Sequence, residues 1–309
     1  MTVELTVELT ENPGVSGTPG AAAGVEPAAL LVAAARALET HRPDALTRDP
    51  YAEQLVRAAP AAAHWPHHPR DVPDGEADPL WGRLARYFAL QTRAFDDQLL
   101  RAAQLGARQI VLLGAGLDTR GYRLDLPDDC TVYELDRPEL LAFKQCVLDG
   151  TDARPTARRR TVGTDLRTVG TDLRAVGTDP RADWAQPLTD AGFRPDLPTA
   201  WLAEGLLLRL PGAAESGVLA VVDRLSAPGS TLAYETRPGG GATPDPTGLD
   251  PTACPDPGPR PDSPADLTAR GWSTTLHTPY EFTRHYGRGP LPVPDDALAG
   301  HRWAFAVRS

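Results

Sequence analysis

The sequence predicts an α/β protein built on a doubly wound, mostly parallel sheet of seven strands that closes with an antiparallel pair. Three observations predict it. Ile110 to Leu113 is a short apolar run that stops at Gly114-Ala115-Gly116, as a buried parallel strand does when it enters a tight turn. A second apolar run, Cys130 to Tyr133, stops at Glu134-Leu135-Asp136. Further runs alternate with helical patterns until the last two, 272–277 and 301–307. Those lack a helix of usual length between them and suit an antiparallel pair with a reversed edge strand.

The first two strand ends also carry chemistry. Gly114 and Gly116 let the backbone turn sharply and a ligand approach closely. Asp136 lies about twenty residues past the glycines, where a strand-end carboxylate accepts hydrogen bonds from ribose hydroxyls. A dinucleotide site wants a third glycine and a helix N-terminus free for pyrophosphate. Here Thr119 holds that position and Asp118 precedes it. An acid at this turn repels pyrophosphate but suits a cationic group, and S-adenosyl-L-methionine carries an ammonium, a sulfonium and no phosphate. Two other readings stand beside this one. An NAD-type oxidoreductase would want glycine at 119 and a Tyr-Lys pair or His near the switch point, and neither is visible. A non-catalytic nucleoside-binding protein would be expected to lose Asp118, Asp136 or Glu204, and all three are present.

GAGLDTRGYRL (114–124), VYELDRPELLAFK (132–144) and TAWLAEGLLLRLP (199–211) together resemble the leucine carboxyl methyltransferase-like family. Its members are class I S-adenosylmethionine-dependent methyltransferases, many of them bacterial. The matching blocks run from about Ala35 to Gly287, most of the chain. The resemblance implies the seven-stranded, Rossmann-like methyltransferase fold and S-adenosyl-L-methionine as cofactor. It implies an enzyme that methylates oxygen, on a carboxylate or a hydroxyl, of a small molecule or a peptide carboxylate.

Composition narrows the partners. The 309 residues carry a formal charge of −10 and a pI near 5.2, which disfavours nucleic acid and anionic membrane. No apolar run reaches the length of a membrane span, and the N-terminal residues lack the pattern of a secretory signal. Cys130, Cys146 and Cys254 show neither a metal spacing nor an even disulfide set. A cytoplasmic protein without a metal fits.

Taken in order, residues 1–25 repeat VELT and then turn Gly/Pro/Ala-rich, which reads as a disordered tail. A single methyltransferase domain then covers 26–309, with a helical cap over 26–105. Pro27 to Leu38 is Ala/Leu-rich and predicts the first helix. It carries Arg36, which the resemblance places at the cofactor carboxylate; the plain alternative is a solvated helix arginine. Asp49-Pro50 predicts an N-cap and first turn. His64, His67 and His68 fall among prolines and read as exposed loop histidines. Trp81 to Leu105 predicts a long helix. Its Arg93 matches the family arginine that clamps the cofactor carboxylate, a task suited to a two-pronged guanidinium. The alternative is an intrahelical pair with Asp96 or Asp97.

After Asp136, Pro138 opens a helix. Then TVGTDLR, TVGTDLR and AVGTDPR repeat in tandem over 161–181. The family has one such Asp-Leu pair, whose Asp bonds the adenine amino group. Spacing from Lys144 favours Asp165 and Leu166, whereas spacing to Asp183-Trp184 favours Asp179; Asp172 is the equivalent residue of the second copy. Trp184 to Gly192 predicts a helix, and TAWLAEG a strand ending at Glu204, beside the methionyl part of the cofactor by resemblance. Relatives read EGLL-x-YLP, and this chain has Arg209 where tyrosine is expected, a candidate substrate contact. Residues 219–225 predict a helix and 230–234 a strand. The stretch 238–264 is dense in Pro, Gly and Asp and predicts a flexible loop over the acceptor. A short helix over 265–271 precedes the final strand pair.

Overall fold

The structure, a computed structural model, describes residues 25–166, 184–237, 260–292 and 297–309. The proposed tail, the second and third repeats and most of the 238–264 loop lie outside those residues.

Three helices come first. Pro27–Thr40 (α1) starts with proline at its first position, where the missing N–H costs nothing. Ala52–Ala58 (α2) begins later than the Asp49-Pro50 signal predicts. Asp49 Oδ1 accepts from the Tyr51 N–H at 3.2 Å, so its side chain closes the turn ahead of the helix. Trp81–Gln104 (α3) is capped from outside by Asp78, whose Oδ1 accepts from the N–H groups of Leu80 (2.9 Å) and Trp81 (2.6 Å).

The sheet follows. Its strands are Gln109–Leu113 (β1), Thr131–Asp136 (β2), Arg158–Gly163 (β3), Thr199–Ala203 (β4), Thr231–Thr236 (β5), Trp272–His277 (β6) and Arg302–Arg308 (β7). They lie in the order β3-β2-β1-β4-β5-β7-β6. β1 to β5 are parallel, and β7 runs antiparallel to both β5 and β6. The antiparallel pair is therefore present, but the reversed strand is β7, one place in from the edge. Strand β6 forms the edge itself.

β1 and β4 are buried along their whole length, which explains their unbroken apolar sequence. The other edge, β3, opens with Arg158-Arg159-Arg160 and is mostly exposed, and charged side chains there discourage pairing with another chain. Connecting helices cover the faces: Arg120–Arg123 (α4), Pro138–Asp149 (α5), Ala185–Asp190 (α6), Gly212–Arg224 (α7) and Ser263–Ala269 (α8).

Between β6 and β7 lies a helix the apolar pattern does not announce, Pro279–Tyr286 (α9). Thr278 caps it by accepting from the Glu281 N–H at 3.3 Å, and Gly287 ends it at φ 72°. Its Phe282 packs on Trp303 and Phe305 of β7. Among the described residues no helix is long and apolar enough to cross a membrane.

Candidate active site

A cavity of about 360 Å³ opens at the carboxyl ends of β1, β2, β4 and β5, with α1 along one wall. Ligands of open α/β sheets bind at such strand ends. Arg36, Gly114, Ala115, Gly116, Asp118, Asp136, Asp165, Leu166, Glu204 and Arg209 all line it. Asp172 and Asp179 lie outside the described residues.

The glycine loop shapes the β1–β2 side. Gly114 and Gly116 have φ of 65° and 44°, a region that strains any residue with a Cβ. A Cβ on Gly114 would also stand 3.1 Å from Leu206 Cδ1, so the loop passes tightly against the segment after β4. The Ala115 N–H donates to the Leu135 carbonyl at 2.9 Å, which extends the β1–β2 ladder into the loop. Gly116 N–H donates to Asp136 Oδ2, and Arg137 N–H to Oδ1, both at 2.7 Å. Each carboxylate oxygen retains a lone pair for a ligand hydroxyl. Burial raises the Asp136 pKa despite these two donors.

Asp118 stands differently from the sequence expectation of an acid awaiting a cationic ligand, because the fold supplies its cation. Arg120 pairs with it, and the Arg120 N–H donates to Asp118 Oδ1 at 2.7 Å. Burial opposes its ionisation, yet the Arg120, Arg36 and Arg123 guanidiniums hold its pKa well below the ordinary value. The single lysine, Lys144, donates to the Asp118 carbonyl at 2.8 Å and pairs with buried Glu134 at 2.9 Å.

Side chains from distant segments build the β4–β5 side. Arg36 NH2 donates to Glu204 Oε1 and Arg120 NH1 to Oε2, both at 2.6 Å. Arg36 Nε also donates to Thr92 Oγ1 at 3.1 Å, so this arginine is a buried member of the cavity wall and not a solvated one. Arg120 reaches Asp96 at 2.6 Å too, and Arg123 closes on the same aspartate at 2.6 Å.

Arg93 does not join them. It sits two residues from Gln91, hence about 200° around the helix from the cavity wall. Its Nε donates to Asp97 at 3.0 Å, and its guanidinium stands 5.6 Å from the Tyr286 ring. The intrahelical pair is the arrangement seen. Arg209 lines the cavity and pairs with Glu26 at 3.0 Å. His67 and His68 bond Arg57 and the Arg70 N–H in the loop after α2.

Three further residues belong to the site. Glu235, at the end of β5, accepts from the Gly205 N–H and Gln91 Nε2, both at 2.5 Å, and from the Tyr87 hydroxyl at 3.1 Å. Burial, reinforced by the nearby Glu204 charge, pushes its pKa up to about 7. It lies one residue short of the end of β5, much as Asp136 ends β2, so a similar signal points to it. Gln91 and Arg120 carry no signal of their own for this site, because the strand-end carboxylates they hold, Glu235 and Glu204, are remote in the chain.

Comparison with known proteins gives one family. The family model described as leucine carboxyl methyltransferase matches residues 29–223. A Streptomyces coelicolor protein is 52% identical over 304 residues, covering 94% of this chain and 96% of its own length. A Saccharopolyspora erythraea protein is 45% identical over 213 residues, covering 69% and 68%. A Mycolicibacterium gilvum protein is 40% identical over 294 residues, covering 90% and 92%. All three are provisionally named S-adenosyl-L-methionine-dependent methyltransferases.

Proposed function

The chain belongs to the leucine carboxyl methyltransferase family and is an S-adenosyl-L-methionine-dependent methyltransferase; from that premise we propose that it methylates oxygen. The acceptor is a carboxylate or hydroxyl on a small molecule or peptide. One observation carries the assignment of roles: a single cavity holds the backbone-held carboxylate of Asp136 and the Glu204–Arg36 ion pair. The donor set matches the cofactor. Asp136 would accept from the ribose hydroxyls, and Asp165 and Leu166 would hold the adenine beside the Gly114–Gly116 loop. Glu204 and Arg36 present one negative and one positive group side by side, complementary to the ammonium and carboxylate of an amino acid. Arg93 is left out of this assignment.

When bound, S-adenosyl-L-methionine supplies a methyl group on a sulfonium. The protein's contribution is to place the acceptor oxygen in line with it and keep water away. Phe88, Leu206 and Leu210 give the cavity an apolar lining for the second task. A carboxylate acceptor is already ionised at neutral pH and needs no base. A hydroxyl acceptor needs a proton acceptor, and Glu235, with its pKa near 7, stands in the wall for that role.

Calorimetry with S-adenosylhomocysteine and with NAD tests the reading. S-adenosylhomocysteine should bind and add about 2.7 kcal/mol of stability at a hundred times its Kd, and NAD should do neither. Binding of NAD alone would overturn it.

A further inference from the structure

Glu204 and Glu235 stand in the same cavity wall, and only Glu204 has a counter-charge. It carries a guanidinium on each oxygen, Arg36 on Oε1 and Arg120 on Oε2. Glu235 is held by neutral donors alone: the Gly205 N–H on Oε2, and Gln91 Nε2 with the Tyr87 hydroxyl on Oε1. No cationic side chain among the described residues bonds or pairs with it. The ionisable groups on neighbouring elements do not supply one. Tyr87 also accepts from Trp303 Nε1 at 3.3 Å, and the buried His301 ring lies 6.4 Å from the Tyr87 ring. Arg209 pairs with Glu26, and Arg302 donates to the carbonyls of Ala299 and His301. Arg237, just past β5, lies against Gly300. A buried carboxylate without a cation keeps its proton, and half a turn of the Gln91 amide gives that proton an acceptor. The Gln91 Oε1 atom is buried and has no hydrogen-bond partner among the described residues.

We propose that Glu235 is the counter-charge to the cofactor's sulfonium: it gives up its proton as S-adenosyl-L-methionine binds and regains one once the methyl group has gone. The proposal rests on the cofactor reading above. There Glu204 and Arg36 take the amino-acid end, which leaves the sulfonium as the one charge of the cofactor without a partner. An opposite charge arriving beside a buried acid favours its ionised form. The Glu235 carboxyl, raised to about 7, is poised to change state at neutral pH. Methyl transfer then reverses the change. The acceptor oxygen forms the new bond with its own lone pair, the sulfur keeps the old bonding pair, and the sulfonium becomes a neutral thioether. Glu235, again without a cation, takes a proton from solvent or, where the acceptor is a hydroxyl, from the acceptor itself. Of S-adenosyl-L-methionine and S-adenosylhomocysteine only the first carries the sulfonium. Ionised Glu235 therefore favours the substrate over the spent product, a discrimination that the paired Glu204 does not provide.

Calorimetry at pH 6 in two buffers of different ionisation enthalpy counts the protons exchanged on binding. Wild type should release about one proton per S-adenosyl-L-methionine bound and markedly fewer per S-adenosylhomocysteine. Its affinity for S-adenosyl-L-methionine should rise between pH 5 and 7 by up to about tenfold per unit, and that for S-adenosylhomocysteine should rise less. Glu235→Gln, neutral and of the same shape, should bind S-adenosylhomocysteine much as wild type does, release no proton with either ligand and lose the pH dependence. Equal proton counts for the two ligands in wild type would overturn the proposal without recourse to any variant. Proton release that survives Glu235→Gln would overturn it too, and would assign the proton to another group such as His301. If neither ligand binds wild type, the cofactor reading itself fails; if both bind with equal counts, only the role of Glu235 does.

Discussion

Asp136 ends β2, Glu235 is the last residue but one of β5, and the two line the same cavity but are held in opposite ways. Asp136 is fixed by two backbone N–H groups within about twenty residues of it, so its position follows from the β1–β2 unit alone. Glu235 receives one backbone N–H and two side chains of α3, more than 140 residues away. Glu204 is similar, gripped by Arg36 and Arg120 across separations of 168 and 84 residues. One half of the cavity is thus a local turn, and the other is a product of tertiary packing. The first should tolerate damage elsewhere, whereas the second should fail when any distant partner is removed.

The largest effect is expected at Arg120, which joins Asp96, Asp118 and Glu204 at 1% exposure. Arg120→Met would leave buried carboxylates short of their cation, and breaking such a pair costs about 3–5 kcal/mol. Urea unfolding of the variant measures it; a loss below about 1 kcal/mol would mean the β4–β5 half does not depend on this arginine.

Asp136→Ala should leave stability nearly intact and weaken S-adenosylhomocysteine binding by about 1.5–3 kcal/mol, the scale of hydrogen bonds to a charged group. Unchanged affinity would remove Asp136 from the site. The contrast between these two variants, one losing fold and one losing ligand, is the sharpest form of the comparison.

pH separates the halves again. The Glu235 carboxyl titrates near 4.5 when unfolded and near 7 when folded. Between those values the native state binds more protons than the unfolded state, so stability falls as pH rises, by at most about 1.4 kcal/mol per unit. Glu215, raised to about 7 by burial against the pull of Arg260, adds to the same window. Glu235→Gln should flatten part of the decline in Tm between pH 5 and 7. A slope identical to wild type would show that Glu235 stays ionised throughout.

Arg93→Ala should do least. Its pair with Asp97 is 43% and 38% exposed, and exposed pairs contribute about 0.2–1 kcal/mol. A tenfold loss of S-adenosylhomocysteine affinity would restore the clamp role that the family resemblance implies.

The same division governs what the sequence could show. The strand ends at Gly114, Asp136 and Glu204 are legible because apolar runs and punctuating residues are neighbours in the chain. The α/β class and the strands at the centre of the sheet follow from such runs, whereas β3, which opens on Arg158-Arg159-Arg160, does not. Arg36 is legible only through resemblance, and Arg120 and Gln91 not at all, since each acts on a residue from another part of the chain. Arg93 misleads for the converse reason: the motif is local, but helix phase decides which way it points. α9 was legible in its boundaries, Thr278-Pro279 and Gly287, though its polar body hides it from a search for apolar periodicity.

The place of β7 has a consequence for how the chain comes together. β6 precedes β7 in the sequence, yet β7 separates it from β5. A growing chain that has emitted β6 has nowhere to dock it, since its only sheet neighbour is still unmade. The edge of β5 stays open over the same interval, an unpaired strand edge of the kind that invites association with other chains. Arrival of β7 settles both at once, since it pairs with β5 on one side and β6 on the other.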